Sequence, residues 1–275
     1  MMVSAQAGGL WDCHTHIYGP WKSFPLPDDA AYRPAEAPMT RLLEMHQGLG
    51  ISHGVLVQAA CYGTDHRALL AALAITEGRY RGVALIDGTA DDATLQKMHD
   101  GGIRGIRFNF MGHLPGERNL DQLRVLVERI KPFGWHALLH GQLRQLLPVL
   151  DAWSDLDIPL VIDHMGREEA TREPDESRLK ELAKHLRHTK RWIKLSGVDR
   201  MMKGAPSAWT AAIPVARMLL AVAPERAIWG TDWPHPNVQG NVPDDACLLR
   251  FVHDVCGDDK TKEAVLVDNP RRLYF

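Results

Sequence analysis

"GIRGIRFN" (102–109), "NLDQLRVLVERIKPFG" (119–134) and "WHALLHG" (135–141) follow one another in the middle of the chain. The outer two are short apolar runs bounded by glycine, the pattern of buried strands. The middle one puts Leu120, Leu123, Val127 and Ile130 on one helical face, with Asn119 at its start and Gly134 at its stop. A strand, a helix and a second strand therefore come in immediate succession.

The same alternation extends in both directions. Further strand candidates are "LWDCHTH" (10–16), "HGVLVQA" (53–59), "GVALID" (82–87), "IPLVIDHMG" (158–166), "RWIKLSG" (191–197) and "RAIWGTD" (226–232). Helical stretches include "MTRLLEMHQGLG" (39–50), "DHRALLAALAITEG" (65–78) and "SRLKELAKHLRH" (177–188), and Gly48, Gly50 and Gly78 also look like helix stops. Eight strands alternating with helices predict a (β/α)8 TIM barrel in preference to an open doubly wound sheet. The chain has 275 residues and no linker or compositional break, so residues 1–275 read as one α/β domain. The Pro-rich stretch 17–38 follows the first strand and falls on the C-terminal face, where barrel active sites are built.

A net charge of −2 gives no pull toward nucleic acid or anionic membrane. Four cysteines form no C-x-x-C pair, which suits reduced thiols in the cytoplasm. The first residues show no basic-then-apolar leader, and no apolar run nears the roughly 20 residues of a membrane span. The expected partner is a small molecule. The sequence does not set the oligomeric state.

The strand ends collect the reactive groups. His14 and His16 end the first strand, Arg107 and Asn109 the fourth, and His140 the fifth. Asp163, His164 and Arg167 end the sixth, Asp199 and Arg200 follow the seventh, and Asp232 ends the eighth. His14 and His16, two apart, share a face, and by the same parity Cys13 faces away from them. By itself an H-x-H is a weak signal. Its company at three other strand ends makes it a candidate site.

"DCHTH" (12–16), "VIDHMGR" (161–167) and "WGTDWPHPN" (229–237) resemble the amidohydrolase superfamily, and more closely its lactonase branch. So do "GPWKSFPL" (19–26), "VQAACYGTD" (57–65), "GGIRGIRFNF" (101–110), "VPDD" (242–245) and "NPRRLY" (269–274). The resemblance implies a hydrolase that opens a carboxylated lactone such as a pyrone dicarboxylate. It implies that Asp232 activates water, and that His14, His16 and His164 polarise the scissile carbonyl. It implies that Arg107, Arg167 and Arg200 surround the substrate's carboxylates, beside Asn109, His113 and His140. Guanidinium forks suit that task, with an ion pair inside the protein as the alternative for each arginine.

Three residues depart from the branch. His113 stands where a second substrate-binding arginine is expected, Ala60 replaces a serine, and His140 replaces a tyrosine. The dicarboxylate-lactonase type that these stretches resemble works without a metal, but most of the superfamily has a histidine ligand where His140 stands. The expectation is thus no cofactor, or one divalent metal, Zn²⁺ foremost, on His14, His16, His140 and Asp232. The fourth strand offers no lysine to bridge two metals. Alternative readings are a metal-dependent decarboxylase or hydratase of an aromatic-catabolite acid, and a sugar aldonolactonase. The remaining helix and turn histidines, His46 among them, read as solvated, and His235 as pocket lining or packing support.

Overall fold

The computed structural model describes residues 8–112, 114, 116, 119–167, 175–202, 206–238 and 242–275. Eight parallel strands pair in sequence order: β1 (Leu10–Thr15), β2 (Ile51–Val57), β3 (Tyr80–Ala84), β4 (Ile103–Asn109), β5 (His136–His140), β6 (Leu160–Ile162), β7 (Arg191–Lys194) and β8 (Ala227–Ile228). The residues after β8 close the ring onto β1. Cys13 N–H donates to the Trp229 carbonyl (2.8 Å), Asp232 N–H to that of His14 (2.8 Å) and His16 N–H to that of Trp233 (2.7 Å). This is the expected (β/α)8 barrel. Its outer ring includes α1 (Met39–Leu49), α2 (Arg67–Ala74), α3 (Asp92–Asp100), α4 (Leu120–Ile130), α5 (Leu143–Ala152) and α6 (Glu176–Leu186). It continues with α7 (Val198–Met201), α8 (Ile213–Val222), α9 (Asp245–Cys256), α10 (Asp259–Glu263) and α11 (Asn269–Tyr274).

Local chemistry explains the helix ends. The Asn119 side chain accepts from the amides of Asp121 and Gln122, and Gly50 and Gly134 stop their helices at φ 71° and 67°. One apolar cluster, with Val55, Val57, Val83, Leu138 and Val161, plugs the barrel; a larger one lies between strands and helices. No helix among the described residues is long and apolar enough to cross a membrane. The four cysteines are free thiols.

Two strands are shorter than their apolar runs. "IPLVIDHMG" stops pairing at Ile162, and His164, Met165, Gly166 and Arg167 follow at φ 49°, 52°, 73° and 47°. Four left-handed residues in a row cost on the order of 1 kcal/mol each for the three that are not glycine. "RAIWGTD" keeps strand pairing over Ala227–Ile228, and Asp232 itself has φ 67°. Both departures lie where the candidate site residues sit.

The first strand corrects the parity argument. Its register against β2 slips between Asp12 and Thr15, a bulge that re-aims side chains. Cys13 therefore joins the cluster inside the barrel, on the same side as His14 and His16. Burial pushes the Cys13 thiol well up, so it is no nucleophile. Asp12 turns outward and clamps the bulge. It accepts from the amides of His14 and Thr231 (both 3.0 Å), the Thr231 hydroxyl (2.6 Å) and His46 Nε2 (3.2 Å). His46 in turn accepts from the Tyr80 hydroxyl (2.6 Å), so it is a buried brace between α1 and the barrel and not a solvated histidine.

Closure is tightest at Gly230, where an added Cβ would lie 2.4 Å from the His14 amide nitrogen. Gly230→Ala is expected to lower the unfolding free energy by about 1–3 kcal/mol in urea titration, through forced backbone displacement. An unchanged midpoint would show that the two segments do not meet as described.

Candidate active site

Asp163 ends β6 with no solvent exposure and sits at the centre of a charged network. His14 Nδ1 lies 3.0 Å from its Oδ1, Lys194 Nζ 3.4 Å from the same oxygen, and Arg107 Nη2 3.2 Å from Oδ2. His164 Nε2 lies 3.5 Å from Oδ2, and its Nδ1 meets the Ser196 hydroxyl at 3.0 Å. Burial opposes the charge on Asp163, but His14, His164 and Lys194 together hold its carboxyl well below the usual range. Burial, countered by Asp163 and assisted by Lys194, pushes His14 down to about 3. Neutral His14 then donates from Nδ1 to Asp163 and leaves Nε2 bare.

His16 is oriented by another contact. Its Nδ1 donates to the Val57 carbonyl (2.8 Å), so its Nε2 is also a bare lone pair. The two Nε2 atoms are 3.3 Å apart, and Asp232 Oδ1 lies 3.6 Å from the first and 3.4 Å from the second. Three acceptors thus converge with no donor between them. Donors roughly 2.0–2.2 Å from a tetrahedral ion sit roughly 3.3–3.6 Å apart, so His14, His16 and Asp232 fit one divalent cation.

The structure leaves His140 out of that group and so corrects the expected four-ligand set. Burial, with Arg107 nearby, keeps its imidazole neutral. Its Nδ1 donates to Asn109 Oδ1 (3.1 Å), and its Nε2 accepts from Arg167 Nη1 (3.4 Å). No lone pair remains for an ion. His140 orients Arg167 instead.

The three arginines have different partners. Arg200 donates to Asp232 Oδ2 and to the Pro236 carbonyl, both at 2.8 Å, and Arg107 is paired with Asp163. Among the described residues no carboxylate pairs with Arg167, so it is the cation left for a ligand. Arg107 Nε and Asn109 Nδ2 are buried donors without a partner among the described residues. Among the described residues four cations (Arg107, Arg167, Lys194, Arg200) face three acids (Asp163, Asp199, Asp232), and burial raises the pKa of Asp199. The pocket is therefore positive in a chain whose net charge is −2. His113 lies outside the described residues.

Sequence reasoning passed over Lys194, and named Asp163 without giving it a role. The available signal was parity, since Trp192, Lys194 and Ser196 alternate toward the barrel interior at the end of "RWIKLSG". His235 is buried and bonded to Asp245 (2.9 Å), which braces the loop that carries Asp232.

Residues 11–275 match the amidohydrolase family. The chain is 35% identical to a 2-pyrone-4,6-dicarboxylate hydrolase of Comamonas testosteroni, over 97% of this chain and 90% of that protein. It is 33% identical to a 4-sulfomuconolactone hydrolase of Hydrogenophaga intermedia, over 97% and 88%. A crystal structure described as a putative 2-pyrone-4,6-dicarboxylic acid hydrolase from Pseudomonas putida superposes with a TM-score of 0.86 at 32% identity, covering 98% of each chain.

The buried histidines set a pH dependence of stability. Burial pushes His136 down to about 3, and His140 and His164 also fall well below the usual histidine value. The unfolded chain protonates them near pH 6.5, so below that pH it binds more protons than the folded chain. Stability should fall on acidification by up to about 1.4 kcal/mol per pH unit per histidine, before the loss from Asp163 begins below about pH 4. Urea midpoints at pH 7, 6 and 5 measure this. A profile flat to pH 5 would contradict the neutral, buried assignment.

Proposed function

The chain belongs to the amidohydrolase family and is a hydrolase acting on a cyclic ester, and from there we propose that it opens a small lactone bearing a carboxylate or similar anion, using a water that Asp232 deprotonates. The observation that carries this reading is the pairing of Asp232 Oδ1 with two bare imidazole nitrogens inside a positive, buried pocket.

Arg200 occupies Oδ2 of Asp232, which leaves Oδ1 to face a water. Burial works against ionisation of Asp232, but the Arg200 guanidinium beside it holds its carboxyl well below the usual range. It is thus ionised at neutral pH and a weak base at rest. Proton transfer gains as the water oxygen bonds to the lactone carbonyl carbon and becomes acidic. The ring C–O bond then breaks, and Asp232 returns the proton to the leaving oxygen. Arg167, steadied by His140, anchors the substrate's anion and sets which carbonyl meets the water. Asp163, itself held by Lys194, accepts from His14 Nδ1 and keeps that ring in one tautomer. A divalent ion, held by His14, His16 and Asp232, would acidify the water and polarise the carbonyl when bound. The named relatives act on lactones that carry anionic groups, which supports the anionic substrate. A neutral sugar lactone would bring no anion to Arg167, which meets no carboxylate among the described residues, and no matched relative named above supports a decarboxylase or hydratase.

Turnover on carboxylated lactones, with elemental analysis before and after chelation, tests the reading. Ring opening of at least one such lactone is expected, together with loss of activity when a divalent metal is stripped. Full activity in metal-free protein would remove the ion from the account and leave the rest. Arg167→Met is expected to raise KM for the anionic lactone about 10- to 100-fold, with a smaller effect on kcat. An unchanged KM would sink the anchoring role.

A further inference from the structure

A cavity of about 580 Å3 opens beside the site, between the ends of β3 and β4 and the face of α4. Ile86, Phe108, Leu123 and Leu126 supply its apolar wall, and Ala60 and Gly88 keep it open. At its inner end stand Arg107 and Asn109, 6% and 2% exposed, each with a buried N–H that has no partner. Those two groups are already tied to the site on their other side, Arg107 through Asp163 and Asn109 through His140. Unpartnered buried donors are costly, and two of them at the mouth of one cavity point to an acceptor that a ligand brings. Among the described residues the outer end holds no free cation. Arg129 is paired with Asp92 (2.9 Å), and Asp87, bonded to Thr89, adds a negative charge.

We propose that this cavity is a substrate subsite for an uncharged, apolar substituent of the lactone, entered past an acceptor oxygen that Arg107 Nε and Asn109 Nδ2 bind. The subsite deepens the lactonase reading above and rests on it for the identity of the ligand. A second carboxylate placed there would lose water beside Asp87 with no cation among the described residues to meet it. The enzyme therefore favours a lactone with one anionic group and one apolar arm over a compact dicarboxylate.

Binding measured by calorimetry separates this from the hydrolytic reading. Straight-chain monocarboxylates from acetate to hexanoate, and the matching dicarboxylates, are titrated into the intact protein. Affinity is expected to rise about fourfold per methylene, as burial of each CH2 predicts, with each dicarboxylate binding more weakly than the monocarboxylate of equal length. Gly88→Phe and Val125→Trp narrow the cavity from two different elements. Gly88 is exposed and an added Cβ there meets nothing within 4 Å, and Val125 is 61% exposed, so both variants should melt like the parent. In both, acetate affinity should stay and the gain per methylene should flatten. A flat series in the parent, tighter binding of dicarboxylates, or variants that keep the full gain would each overturn the subsite. Failure to hydrolyse any lactone would sink the lactonase reading alone, because the binding series does not depend on turnover.

Discussion

The site depends on one fully buried carboxylate. Asp163 meets His14, His164, Arg107 and Lys194 from four different strands or strand ends, and without it a lysine and a guanidinium would be stranded in a dry interior. Breaking such a network from one side costs about 3–5 kcal/mol, because the remaining charges stay buried. The same contacts fix the tautomer of His14, which turns its second nitrogen toward His16 and Asp232. Electrostatics in the core and chemistry at the mouth are thus one arrangement. The left-handed run from His164 to Arg167 persists because Asp163 and Ser196 hold His164 on both of its ring nitrogens.

A second constraint is geometric. The barrel closes where β1 meets the segment after β8, and there a bulge, Asp12 and Gly230 work together. The bulge puts Cys13 and His14 on the same side, Asp12 accepts four hydrogen bonds that lock it, and Gly230 lets the backbones approach. Asp232 follows two residues later at φ 67°, already tied by its amide to the His14 carbonyl. The distance between the base and the two imidazoles is therefore set by backbone contacts and not by flexible side chains.

The barrel was legible because its signal is periodic. Strand runs and helical faces alternate over the whole chain, and "GIRGIRFN" to "WHALLHG" shows the unit plainly. His14, His16, His164 and Asp232 were legible because reactive side chains at strand ends converge in a barrel. Partner choice was not. Nothing in the order of residues says that Arg107 and Arg200 face acids of their own chain while Arg167, among the described residues, meets no carboxylate. The bulge in "WDCHTH" was hidden because strand parity assumes an unbroken register. His140 looked like a ligand by position, and only its contacts with Asn109 and Arg167 show that both nitrogens are engaged. Lys194 was overlooked because a lysine in a strand reads as solvated until the strands around it are closed.

The central claim is that Asp232 moves the proton of the attacking water. Single-turnover hydrolysis of a carboxylated lactone by Asp232→Asn, with the fold verified by circular dichroism, tests it directly. The amide keeps the size and the contact with Arg200 but cannot accept that proton. A fall of at least about 10³-fold in the chemical step, with substrate still bound, is the predicted result. Retention of more than a few per cent of the parent rate would contradict the account.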